Sequence, residues 1–195
     1  MIRYLQILIL SFLFNSVQAQ QAITVACPKG YNEIKDPWTF FNCIAPNKEV
    51  LSGSNPNFAF IKKDSSVVIT IAFIQRDSAT YESDRALMKG LRPDWKNYDP
   101  DTVWMINFKY RVDSVNHSYM LFDKAKLKPF NADAGVEFYM DCTNLYMDDY
   151  KIAKAVTINK KYRGIVEIYY FTRQHTKIDI EKELYNASSM VSFKK

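Results

Sequence analysis

Residues 155–172 read AVTINKKYRGIVEIYYFT. Two runs rich in β-branched and aromatic residues, 152–158 and 165–172, flank Asn159-Lys160-Lys161-Tyr162-Arg163-Gly164. Such runs, joined by a polar loop that carries a glycine, read as a hairpin, because glycine supplies the unusual backbone angles a tight reversal needs. A hairpin makes its strands antiparallel neighbours, whereas parallel neighbours need a long crossover.

The same reading extends outward. Residues 58–62 and 67–74 (VVITIAFI) are β-rich and separated by Asp64-Ser65-Ser66, a second hairpin. Residues 102–112 alternate, with Trp104, Ile106, Phe108, Tyr110 and Val112 on one face and Met105, Asn107, Lys109 and Arg111 on the other. Period two with one polar face predicts a half-buried strand, with Ile106 and Phe108 in the core. Residues 117–123 and 136–141 continue the alternation, and 39–45 (TFFNCIA) read as a short strand. Residues 20–35, 52–57 and 92–101 are rich in turn formers and read as loops.

Helical spacing occurs twice. In 80–91, Asp84, Leu87, Met88 and Leu91 share a face, with Thr80 or Ser78 as the cap. In 176–191, Ile180, Leu184, Ala187 and Val191 form an apolar stripe. Lys177, Glu181, Lys182, Glu183 and Ser188 fall between them, and Thr176 with Asp179 suggests a capping pair. The expected fold class is α+β: an antiparallel sheet of about six to eight strands covered by two helices, the second C-terminal.

The N-terminus reads as an export signal. Arg3 gives a positive start, residues 4–14 (YLQILILSFLF) an apolar run, and Val17-Gln18-Ala19 a small-residue cleavage site. The run is shorter than the roughly 20 residues a bilayer span needs. Residues 1–19 are therefore expected to be removed, leaving 20–195 as one α+β domain, secreted or periplasmic, with no transmembrane segment. Lipidation at Cys27 would require that cysteine directly behind the apolar run, and it lies well past it.

Composition excludes some classes. Lys and Arg exceed Asp and Glu by five, but no block of like charge occurs, so nothing points to nucleic acid. The five glycines form no phosphate-binding loop. No Gly-x-Ser-x-Gly appears, and His117 and His175 lack the context of a catalytic base. Cys27, Cys43 and Cys142 contain no Cys-x-x-Cys. In an oxidising compartment Cys27 and Cys43 could close a short loop, or all three could be small buried hydrophobes. Acidic turns at Asp99/Asp101, Asn131/Asp133 and Asp148/Asp149 match no twelve-residue Ca²⁺ loop. No metal or cofactor is expected.

The aromatic surplus remains. There are thirteen Tyr, thirteen Phe and three Trp. Trp95, Tyr98, Tyr139, Tyr146, Tyr150 and Tyr162 fall in loops or on strand faces expected to be exposed, where they could bind a partner. They could also pack under long loops as satellite core.

Pro28-Lys29-Gly30-Tyr31, long antiparallel strands, the hairpin at 155–172, a helix, and a final Met190-Val191-Ser192-Phe193 together resemble the PsbP-like fold family. The resemblance covers most of the mature chain as a pattern and carries over no functional residue. It implies a small exported protein that binds or assembles rather than catalyses. The expected function is therefore an exported binding or assembly protein whose partner is another envelope or secreted protein. The alternative is a small exported hydrolase using Asp or Glu carboxylates, whose pairing is spatial and not sequential.

Overall fold

The computed structural model describes residues 22–37, 56–94, 99–102, 104–105, 119–141, 150–173, 182–183 and 190–195. The expected signal segment 1–19, the short strand at 39–45, and Ile106 and Phe108 lie outside them.

The hairpin is the centre of the molecule. Strands β7 (Tyr150–Lys160) and β8 (Gly164–Arg173) pair antiparallel in register from Ile152↔Thr172 to Lys160↔Gly164. The turn between them is shorter than its polar composition suggests, because Asn159 and Lys160 remain in β7 and Gly164 opens β8. The second hairpin, β3 (Phe58–Lys62) and β4 (Val67–Gln75), is also formed. Asp64 ties its turn by accepting hydrogen bonds from the Ser66 amide (2.9 Å) and hydroxyl (2.5 Å).

With β2 (Tyr31–Glu33), β5 (Tyr119–Leu121) and β6 (Ala134–Asp141), these strands make a seven-stranded antiparallel sheet ordered β2-β3-β4-β8-β7-β6-β5. A two-stranded sheet pairs β1 (Ile23–Val25) with β9 (Val191–Phe193). The α+β class and the antiparallel sheet are as expected. The loop expected over 20–35 contains β1 and β2.

Both faces of the large sheet are buried at its centre. Val67, Ile69, Ile71, Phe73, Val166, Ile168 and Tyr170 belong to one core cluster, joined by Ile23, Val191 and Phe193 of the small sheet. The alternate residues Val68, Ile165, Tyr169 and Phe171 belong to a second cluster with Trp104. Burial on both sides explains why β4 and β8 read as continuous apolar runs and not as alternation.

Three local expectations are corrected. Thr102, Trp104 and Met105 are not the start of a strand: Pro100–Thr102 is a 3₁₀ turn and Trp104 and Met105 are helical. The cause is Asp99, whose carboxylate accepts the Asp101 amide (3.1 Å) and whose carbonyl accepts the Thr102 amide (2.9 Å) and hydroxyl (2.7 Å). Helix α1 (Ser78–Leu91) forms, but Asp77 caps it, accepting from the Thr80 amide at 2.8 Å. Its inward residue is Tyr81, with Asp84 and Met88 half-buried, while Leu87 and Leu91 are exposed. The expected helix over 176–191 does not reach its end, because Met190 is in a turn and Val191 is in β9. Of residues 176–189 only Lys182 and Glu183 are described, and they are helical.

Candidate functional site

The sequence-expected aromatics separate. Trp95, Tyr98 and Tyr146 lie outside the described residues. Tyr150 is not exposed: it is 2% accessible, and its hydroxyl donates to the Ser65 carbonyl at 2.5 Å. Tyr162 is exposed at the β7–β8 turn and meets Tyr81 edge-on at 5.3 Å, which docks α1. Tyr139 is 38% exposed on β6, with the Lys154 ammonium 5.2 Å from its ring centre. Cys27 is an exposed free thiol, while Cys43, its expected partner, lies outside the described residues.

Tyr139 stands near β5, a strand whose side chains are solvent-exposed. β5 pairs with Val136–Phe138 of β6 and is the last strand of the sheet among the described residues. All three of its side chains are exposed: Tyr119 by 46%, Met120 by 45% and Leu121 by 59%. The pleat sends Tyr119 and Leu121 to one face and Met120 to the other, where Glu137 is its cross-strand partner. The sequence did not single out this site, because residues 117–123 read only as one more alternating strand. Burial depends on what covers the strand, which no local pattern records.

A short helix, α2 (Lys124–Leu127), leaves the end of β5. Asp123 caps it, accepting from the Lys126 amide at 2.8 Å. The Lys126 ammonium then lies 3.6 Å from the Met120 sulfur and 3.5 Å from the Glu137 carboxylate. Glu137 is buried and also lies 3.8 Å from the Lys154 ammonium. Two cations around one buried carboxylate offset its desolvation and fix the lysines in place. Lys124 and Lys128 stay exposed.

The other buried acids are engaged elsewhere. Glu167 accepts the Tyr169 hydroxyl at 2.7 Å. Glu183 accepts the Tyr31 hydroxyl at 2.5 Å and pairs with Lys62 at 2.5 Å. The acidic turns serve the fold. Asp101 meets Lys161 at 3.2 Å, and Asp133 accepts the Lys161 amide at 2.9 Å. Asn131, in a left-handed turn, donates to the Phe193 carbonyl at 2.9 Å. Asp148, Asp149, His117 and His175 lie outside the described residues.

Three buried phenols face these acids. Burial, then the Glu183 carboxylate, holds Tyr31 above the ordinary tyrosine range. Burial followed by Asp101 does the same for Tyr81, and burial followed by Glu183 and Glu137 for Tyr170. A folded-state pKa above the unfolded value means that each neutral phenol contributes stability in full below about pH 10, and that this is lost as pH rises toward the folded value. The Tyr170 hydroxyl is moreover buried without a hydrogen-bond partner. Tyr170→Phe should therefore leave stability equal or higher at neutral pH and weaken the loss above about pH 10. Urea unfolding at pH 7 and pH 10.5 checks this; a variant less stable at both would show that the hydroxyl is bonded.

No protein-family model matches the chain, and no curated protein sequence matches it. Among solved structures it is similar to cyanobacterial PsbP (CyanoP) from Synechocystis sp. PCC 6803, at 9% identity and a TM-score of 0.37, over 89% of this chain and 93% of that one. A likeness at that level assigns neither ancestry nor role.

Proposed function

We propose that this is an exported binding or assembly protein, released by cleavage after Ala19, that holds a protein partner of the envelope or secreted space against β5 and Tyr139. The observation that carries the reading is the run of three consecutive apolar side chains left exposed on β5, beside a fourth on β6. Large apolar side chains left exposed together on one strand of an otherwise well-buried sheet support an interaction surface there. The buried carboxylates, each held by lysines or tyrosines of the same fold, offer less support to the hydrolase alternative. Among the described residues no helix is long and apolar enough to cross a membrane.

A photo-crosslinking residue in place of Leu121, expressed in the source cells, tests the proposal. Expected is a chain starting at Gln20 and a discrete crosslinked protein product that Met120→Asp abolishes without unfolding the domain. A chain that stays uncrosslinked, or that retains residues 1–19, overturns it. Hydrolysis of ester, peptide or glycoside substrates that survives Met120→Asp would favour the enzyme instead.

A further inference from the structure

We infer that Met120 is a reversible oxidation site: hydrogen peroxide converts its thioether to the sulfoxide ahead of Met88, Met105 and Met190, and the Lys126 ammonium receives the new oxygen. The side chain is reachable, since Met120 is 45% exposed on β5. Met190 is buried and Met88 half-buried, while Met105 is 36% exposed. Exposure alone therefore barely separates Met120 from Met105. What separates them is a placed cation, the Lys126 ammonium 3.6 Å from the Met120 sulfur. That ammonium is held from three sides. Asp123 accepts the Lys126 amide at 2.8 Å, the Glu137 carboxylate lies 3.5 Å from the ammonium, and the Phe122 ring centre lies 5.4 Å from it. Glu137 is also met by Lys154 at 3.8 Å, so its buried charge stays compensated when Lys126 turns toward a new acceptor.

The chemistry follows from that contact. A thioether sulfur is a weak acceptor, whereas the sulfoxide is polar, and an ammonium has three N–H donors to share between it and Glu137. A sulfur lone pair attacks one peroxide oxygen, so an S–O bond forms as the O–O bond breaks. Sulfur gives up two electrons and the peroxide is reduced. The departing oxygen leaves as water, taking a proton from the ammonium, which recovers one from the attacked oxygen. A fixed positive charge beside the sulfur favours the hydroxide that develops there. Return to the thioether takes two electrons from a thiol, delivered by a methionine sulfoxide reductase. Oxidation turns the middle apolar side chain of β5 polar and ties it to Lys126, which removes apolar area a partner would cover. That last consequence rests on the proposed role of β5.

The test treats the chain with dilute hydrogen peroxide and follows each methionine by peptide mass spectrometry. Expected is that Met120 sulfoxide forms first and that Lys126→Gln slows its formation by about tenfold, leaving Met105 unchanged. In urea, where the lysine is no longer held, Met120 and Met105 should react alike, a comparison that needs no variant to fold. The crosslinked product at position 121 should be lost on oxidation and return with the reductase, and in Met120→Leu peroxide should leave it intact. Met105 reacting as fast as Met120 in the folded chain, or a rate unmoved by Lys126→Gln in a variant that circular dichroism shows to be folded, would overturn the oxidation site. Crosslinking that is equal before and after oxidation would overturn its effect on binding. A reduced chain that gives no crosslink refutes the binding role instead, and the peptide masses still decide the oxidation site.

Discussion

Gly164→Ala is expected to lower the stability of the domain by about 3–5 kcal/mol, from two independent causes. The first is backbone conformation. Gly164 has φ +135°, a region that residues with a Cβ rarely adopt, and holding alanine there costs about 1–3 kcal/mol. The second is space. A Cβ at this position would press on the Ile74 carbonyl oxygen and the Phe73 ring, with the Gln75 Cα at 3.1 Å. Two of those three atoms are backbone and cannot swing away, so overpacking adds about 1–3 kcal/mol. The position is also central, since Gly164 pairs with Lys160 on one side and Gln75 on the other, joining both hairpins. For a domain of this size the loss corresponds to a Tm lower by about 10 °C. Gly30→Ala is the control: φ is +88° but nothing lies within 4 Å of the added Cβ, so the cost should stay near about 1 kcal/mol. Thermal melts of both variants decide the matter. Equal shifts would mean that the turn relaxes around Gly164 and that only the backbone term operates.

The hairpins were legible in the sequence because everything that makes them is local. The runs at 58–62, 67–74, 152–158 and 165–172 carry their own β propensity, and the turn residues between them fix the reversal. What failed was decided by neighbours. Residues 102–105 alternate like a strand, yet Asp99 captures the amides that follow it and winds them into a turn. In α1 the face of Asp84, Leu87, Met88 and Leu91 turns inward only in part: Asp84 and Met88 are half-buried, Leu87 and Leu91 exposed. The helix docks through one aromatic, Tyr81 against Tyr162, and through Asp84, which pairs with Arg76 at 3.0 Å. A short apolar stripe says that a helix has a preferred side; it does not say what that side will land on. Tyr150 and Tyr139 show the same limit at the candidate site. Both are tyrosines on neighbouring antiparallel strands, but one is sealed beneath the β3–β4 turn and the other stands open beside β5.

Glu183 carries that lesson into the second large effect. Its spacing places it among the polar positions of the C-terminal segment, where a glutamate is normally solvated. In the structure it is 7% exposed and joins that segment to β2 and β3, through the Tyr31 hydroxyl and the Lys62 ammonium. Glu183→Ala should cost about 2–4 kcal/mol, somewhat less than the loss of one partner from a fully buried pair. The discount arises at Lys62, whose side chain is 29% exposed and can turn to water. Tyr31 cannot: it is buried, so its hydroxyl would be left without an acceptor. Tyr31→Phe should therefore recover part of the loss in the Glu183→Ala background while being destabilising alone, a coupling that a double-mutant cycle measures in urea. Additive effects would place the carboxylate in water. A coupled loss would show that one acid, on the expected outer face of its helix, pins the chain's end to the sheet.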